Sequence, residues 1–242
     1  MVPVLKALIF DVDGTLAETE ELHRSSFNRV FHDFGFDWYW TTDNYRSLLR
    51  TTGGKERIVR FLNEHALPPL EAKLIGDMHA AKNRLYSEAV AMGELKPRAG
   101  VRSLVREAGR QGLKLGIATT TSRTNIQALF QFCFSEEERN LFGAVICGED
   151  VSKKKPDPEV YLQCLAKLGL GAAEVIAIED SATGLAAACA ANIPTIVTPS
   201  SYTLDDDFTG ALIVLSHLPD NMDQLRILID DVSQKSTALQ VM

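Results

Sequence analysis

The sequence predicts an α/β protein, a Rossmann-like parallel sheet with helices on both faces, into which an all-helical block is inserted near the N-terminus. Three observations predict it. From Ala99 onward short apolar runs alternate with amphipathic stretches; before Pro97 the patterning is helical alone; and the apolar runs end in acids, hydroxyls and an amine. Ligands in open α/β sheets sit beyond the carboxyl ends of strands, so each run end is a place to look for chemistry.

The first run, Leu5 to Phe10, is broken only by Lys6 and reads as a buried parallel strand. It ends in Asp11-Val12-Asp13-Gly14-Thr15, where the glycine lets the backbone turn sharply. Two carboxylates this close repel unless a cation lies between them or one is protonated. A hard divalent ion suits such oxygen ligands, and one acid could then serve as nucleophile. A pair of acids capping a helix or decorating a turn would have the same sequence.

The helical block follows. Leu22 to Phe34 places Leu22, Phe27, Val30, Phe31 and Phe34 on one face. Thr51-Thr52-Gly53-Gly54 is a break, after which Lys55 to His65 resumes with Ile58, Val59, Phe61 and Leu62. Pro68-Pro69 breaks the pattern again before a long helix from Leu70 to about Ala91. The block therefore reads as a cap over residues 17–93, with 1–16 and 94–242 forming the core. Its hinges are Leu16 to Glu20 and Met92 to Arg98.

Beyond the cap the alternation is regular. Helices are expected at Val101–Gln111, Ser122–Cys133, Glu159–Leu168, Ala182–Ala191 and Met222–Val232. Strands are expected at Leu113–Thr119, Ala144–Cys147, Val175–Glu179 and Pro194–Val197, with Ala211–Leu215 as an edge strand. No repeat or low-complexity tract is present, and the last eight or so residues read as frayed. Thr119 closes one strand and leads through Thr120, Thr121 and Ser122 into a helix, a run of donors suited to phosphate oxygens. Thr121 and Ser122 would equally serve as that helix's N-cap. Lys155, beside Pro156, offers a compact positive charge at a rigid turn; Glu179 and Asp180 close another strand.

In these residues the chain resembles the haloacid-dehalogenase-superfamily phosphatases. Asp11-x-Asp13-Gly14-Thr15, Thr119, Lys155 and Glu179-Asp180 stand in the order of that superfamily's four motifs, over about 170 residues. The segment between the first two motifs resembles the helical cap of the phosphoglucomutase-like branch, and within it CbbY-type sugar phosphatases. The resemblance implies a phosphatase with an aspartyl-phosphate intermediate on Asp11. It implies Mg2+ held by Asp11, the Asp13 backbone carbonyl and Asp180, with Glu179 as an outer ligand or an orienting group. Asp13 would be the general acid and base, while Thr119 and Lys155 neutralise the phosphoryl oxygens. The CbbY-type resemblance implies xylulose-1,5-bisphosphate, an inhibitor of Rubisco, as substrate. A β-phosphoglucomutase-like mutase shares this chemistry, and a non-catalytic sugar-phosphate-binding protein would share the fold.

Substrate selection falls to the cap. Glu20 and His23 follow the first motif directly, and His23 matches a cap histidine of the mutase relatives. Thr52-Gly53-Gly54-Lys55-x-Arg57 is a glycine loop opening a helix with two cations, the chemistry of a distal-phosphate site and also that of a plain interhelical turn. Thr120 is a further phosphate donor. Lys82, Arg84 and Tyr86 read as a mostly solvated face, Lys153 and Lys154 as solvated neighbours, and Asp205-Asp206-Asp207 as a solvated loop.

Composition excludes some partners. A net charge of −7, from 25 basic and 32 acidic residues, argues against sequence-independent nucleic-acid binding. No apolar stretch approaches the roughly 18 residues of a membrane span, and Met1 to Phe10 lacks the form of a targeting segment. A monomer acting in the cytoplasm is expected, or in an organelle if a transit peptide has been removed. Cys133, Cys147, Cys164 and Cys189 lack metal-ligand spacing and read as reduced thiols, mostly buried.

Overall fold

Ala7–Phe10, four buried residues without a polar side chain, form β1, the strand around which the core is assembled. The structure, a computed structural model, describes residues 5–240, with side chains through residue 232. β2 (Lys114–Ala118), β3 (Phe142–Ile146), β4 (Val175–Glu179), β5 (Thr195–Val197) and β6 (Ile213–Val214) complete one parallel sheet, in the order β3-β2-β1-β4-β5-β6. A strand buried on both faces needs helices on both. On one face α5 (Val101–Arg110) and α6 (Arg123–Cys133) pack with Leu8 and Phe10; on the other α8 (Glu159–Leu168) and α9 (Ala182–Ala190) pack with Ala7 and Ile9. The two-residue alternation of a strand accounts for this division.

Between β1 and α5 lie α1 (Glu20–Asp33), α2 (Thr42–Leu48), α3 (Gly54–Glu64) and α4 (Ala72–Ala91). They bury a cluster of their own around Phe27, Phe31, Trp40, Tyr45, Ile58, Phe61 and Met78, to which the loop after β5 adds Tyr202. Trp40 sits between Phe27 and Phe31, with ring centroids 4.7 and 4.8 Å away. The connections to the sheet run side by side, Ala17 pairing with Pro97 and Arg98 N–H donating to the Leu16 carbonyl at 2.9 Å.

Element bounds differ from the sequence expectation by a few residues, with three larger differences. α2 and α7 (Glu136–Asn140) were not expected; at seven and five residues they are too short to show a helical period. α7 is specified instead by a Ser135–Glu138 capping box, and buried Glu138 pairs with Arg102 and Arg106. α10 runs Met222–Gln240, beyond the expected Val232. The fraying expected of the last eight residues falls on side chains, and on residues 241–242, outside the described residues. Among the described residues no helix is long and apolar enough to cross a membrane. All four cysteines are free, three buried and Cys189 exposed.

Candidate active site

Register brings the chemistry together. Phe10 pairs with Ile178 of β4 and Ile117 of β2, so the residues just beyond, Asp11, Glu179 and then Thr119, emerge side by side at the centre of the sheet. Asp11 N–H donates to the Ile178 carbonyl at 3.0 Å and fixes that level. Gly14 turns the chain at φ +80°, and a Cβ there would fall 2.1 Å from Asp180 Oδ2, so the turn needs glycine twice over.

Lys155 Nζ donates to Asp11 Oδ1 and to Glu179 Oε1, both at 2.6 Å, with all three groups buried. Glu179 Oε1 also accepts from Tyr161 Oη. Asp180 completes the cluster, braced by Thr203 Oγ1, which donates to the Asp180 carbonyl at 2.7 Å. Ligand oxygens of Asp11, Glu179 and Asp180 lie within 4.8 Å of one another. Burial pushes Asp11 up to about 8, offset in part by Lys155 and reinforced by Glu179. Burial, Asp11 and Glu179 likewise drive Asp180 well above the usual carboxylate range. Three carboxylates against one ammonium leave two negative charges uncompensated, the charge of one divalent cation, and an all-oxygen donor set suits a hard ion.

Asp13 faces the other way. Its Oδ1 accepts from Thr19 Oγ1 at 2.7 Å and from His23 Nε2 at 3.0 Å, and Lys82 Nζ donates to His23 Nδ1 at 2.7 Å. Ionised Asp13 has only acceptors, so the proton of neutral His23 sits on Nε2 and its Nδ1 accepts from Lys82. Burial favours the protonated form of Asp13, but His23, Thr19 and Lys82 outweigh it and hold the carboxyl well below its usual range. Burial pushes Lys82 down to about 7, against the pull of Asp13. The His23 ring stacks on Tyr86 at 4.3 Å, which sets its plane.

Both groups open onto one cavity of about 350 Å³ between the sheet end and the helices. Its far wall is α1, α3 and α4. Arg57 is buried, donates from Nη1 to Tyr45 Oη at 2.7 Å, and lies 5.0 Å from the Tyr45 ring centroid. Tyr45 Oη in turn donates to Glu20 Oε2 at 3.0 Å. Arg57 Nε is buried without a partner among the described residues. Exposed Lys55 and half-buried Lys154 and His79 line the same end, and His79 packs on Gly54, where a Cβ would come within 2.6 Å of its ring. Burial, and after it the cations Lys82, Lys55 and Lys154, push His79 down to about 3.

All the sequence-predicted residues line this cavity except Glu179, which stands behind it with Lys155: Asp11, Asp13, Glu20, His23, Lys55, Arg57, Thr119, Thr120, Lys155 and Asp180. The solvated-face reading of α4 is corrected at two positions. Lys82 is 3% exposed and Tyr86 is fully buried, because this side of α4 packs over α1; only Arg84 is exposed. Lys154 is corrected too, since it pairs with Glu56 across the cavity mouth. Asp206 is half-buried, its Oδ2 accepting from Ala182 N–H at the start of α9, while Ser122 is the N-cap of α6. Sequence reasoning missed Tyr45, His79 and Tyr161. Tyr45 sits on a helix too short to detect, whereas Tyr161 six residues beyond Lys155 has the i, i+3/i+4 spacing of an inward-facing residue on α8.

Comparisons agree with this geometry. Residues 8–198 match the family model of haloacid dehalogenase-like hydrolases. Protein CbbY of Rhodobacter capsulatus is 50% identical over 207 residues, covering 86% of this chain and 91% of that one. The plasmid-borne CbbY of Cupriavidus necator is 46% identical over 222 residues, covering 89% and 87%. CbbY from Rhodobacter sphaeroides, solved with phosphate, superposes with a TM-score of 0.84 at 44% identity over 88% of this chain and 95% of that one. A variant of that protein has also been solved in complex with xylulose-(1,5)bisphosphate. By its matched residues, its fold and its buried acid–lysine centre, this chain belongs to the haloacid dehalogenase-like hydrolase family.

Proposed function

We propose that this phosphatase hydrolyses xylulose-1,5-bisphosphate with Mg2+ as cofactor. The observation that carries the reading is a single cavity with two ends that attract anions, the Lys155 and Thr119 end beside Asp11 and the Arg57, Lys55 and Lys154 end. A sugar with a phosphate at each terminus matches both. The xylulose-(1,5)bisphosphate complex of the Rhodobacter sphaeroides relative supports that choice of sugar.

The residues divide the work. Asp11, with one oxygen held by Lys155, uses the other to attack phosphorus in line and becomes an aspartyl-phosphate. Mg2+ held by Asp11, Asp180 and the Asp13 backbone carbonyl would neutralise charge on the phosphoryl group. Glu179, engaged by Lys155 and Tyr161, orients Lys155 and lies beside Asp180 as an outer ligand. Thr119, the Thr120 N–H and Lys155 bind the equatorial oxygens, where a loose transition state carries its charge. Asp13 rests ionised, and takes a proton from solvent or from a monoanionic substrate as the phosphate's negative charge enters beside it. It gives that proton to the leaving sugar oxygen, then takes one from the water that opens the aspartyl-phosphate. Glu20 and His23 meet sugar hydroxyls, while Lys55 and Arg57 take the distal phosphate at the start of α3. Residues 17–93 act as the cap that excludes water before chemistry, with 1–16 and 94–242 as the catalytic core.

The test is inorganic phosphate release, with Mg2+ and with EDTA, across sugar mono- and bisphosphates. A Mg2+-dependent preference for xylulose-1,5-bisphosphate supports the proposal. Isomerised hexose phosphate without net release would replace it with a mutase, and binding without turnover with a sensor.

A further inference from the structure

Glu18 follows the first motif directly, yet it does not line the cavity. Its carboxylate instead bridges three separate chain segments. Glu18 Oε1 lies 3.1 Å from Arg98 Nε, and Oε2 accepts from Ser201 N–H at 3.2 Å and Ser201 Oγ at 3.0 Å. Arg98 stands in the second connection between core and cap, and its side chain is 14% exposed. Its Nη1 donates to the Gly14 and Thr198 carbonyls, the latter at 2.7 Å, and its Nη2 to the Pro199 carbonyl at 2.8 Å. One guanidinium therefore ties the turn after Asp13 to the loop after β5. That loop also carries Ser200 and Thr203, which brace Asp180.

We infer that Arg98 is a positioning residue that sets the cation-binding turn, and that Glu18 is the latch through which cap closure completes it. The inference rests on the preceding reading of Asp11, Asp13 and Asp180 as the cation site. The physical basis is the fork of the guanidinium: five donors in a rigid plane satisfy three carbonyls and a carboxylate together, which an ammonium on a flexible stem cannot do. Gly14 leaves no slack between this turn and Asp180, because even a methyl group there would collide with the carboxylate. A small displacement of the turn is thus passed to the ligand oxygens. Glu18 lies at the entrance to the cap, so its contacts with Arg98 and Ser201 hold only while Leu16–Glu20 and the loop after β5 are drawn together. Closing the cap and setting the cation turn then become one event.

The experiment uses the full chain and two variants. Calorimetric titration with Mg2+ alone is expected to show about tenfold weaker binding by Arg98→Lys, as for other outer partners of metal ligands. Glu18→Gln is expected to weaken Mg2+ binding less than Arg98→Lys does and, at saturating Mg2+, to raise KM for xylulose-1,5-bisphosphate about fivefold. It should leave kcat/KM for p-nitrophenyl phosphate, which does not need the cap, unchanged. Circular dichroism establishes that each variant is folded. Folded Arg98→Lys with parental Mg2+ affinity overturns the positioning role. Equal losses on both substrates in Glu18→Gln overturn the latch, and this arm decides alone if Arg98→Lys does not fold. Parent protein that binds no Mg2+ overturns the cation reading itself, and the inference with it.

Discussion

The two ends of the cavity are built on opposite plans. At the sheet end every charged group is fixed by a hydrogen bond, with two negative charges left for a cation: Lys155 is shared by Asp11 and Glu179, Tyr161 locks Glu179, and Thr203 braces Asp180. At the helical end the cations outnumber their partners. Glu56 pairs with Lys154 and Tyr45 touches Arg57, but Arg57 Nε has no partner among the described residues, and burial together with the surrounding positive charge disfavours protonation of His79. Rigid mutual pairing suits groups that must be placed to a fraction of an ångström for chemistry. Unspent positive charge suits a wall that waits for an anion. The comparison assigns rate to one end and choice of substrate to the other.

The sharpest way to break that division is to remove the nucleophile. Asp11→Asn should lower phosphate release by at least about a thousandfold on every substrate while KM changes little. A variant that keeps a tenth of the rate in the same assay would refute Asp11 as nucleophile. Arg57→Ala should act on selection alone, lowering kcat/KM for a bisphosphate on the order of tenfold to a hundredfold and leaving a monophosphate of the same sugar unaffected. Parallel losses on both would merge the two ends into one site.

Proton linkage distinguishes the ends next. Asp11 is raised from its ordinary 3.8 to about 8, chiefly by burial, and Asp180 is raised as well. Between those pH values these two carboxyls bind more protons in the metal-free native state than in the unfolded chain, so their contribution to stability falls as pH rises toward 8. Mg2+ replaces those protons, so saturating Mg2+ should flatten the dependence, and binding should release protons below pH 8. Thermal melts at pH 5 to 8 with and without Mg2+ check this; a stabilisation by Mg2+ that does not grow toward pH 8 would contradict it. The smallest effect concerns the contact between the ends. Thr52 Oγ1 donates to the Lys155 carbonyl at 2.6 Å, and Thr52→Val should cost about 1 kcal/mol in urea unfolding, with KM affected more than kcat.

The catalytic end was legible in the sequence because strand ends advertise it. An apolar run announces a buried strand, and the first polar residue after it emerges at the ligand-binding edge of the sheet; Asp11, Thr119 and Glu179 all follow that rule. The helical end was only partly legible. Lys82 has the composition of a solvated helix face, and only the packing of α4 over α1 buries it against His23. Tyr45 lies on a seven-residue helix with no period to read.

By itself the sequence determined the order of the strands and longer helices, the helical insertion and the identities of the acids, hydroxyls and lysine at the strand ends, because burial and backbone geometry act locally and leave periodic marks. Tertiary structure alone decided which of those groups share a proton or a charge. Asp11 and Asp13 stand two residues apart, yet one is pushed up among buried carboxylates and the other is held down by His23 and Thr19. Both are buried; their difference comes from residues of other segments, Glu179 raising Asp11 and the His23, Thr19 and Lys82 side chains holding Asp13 down. A pKa is set by what lies within a few ångströms in space, which neighbours along the chain do not specify.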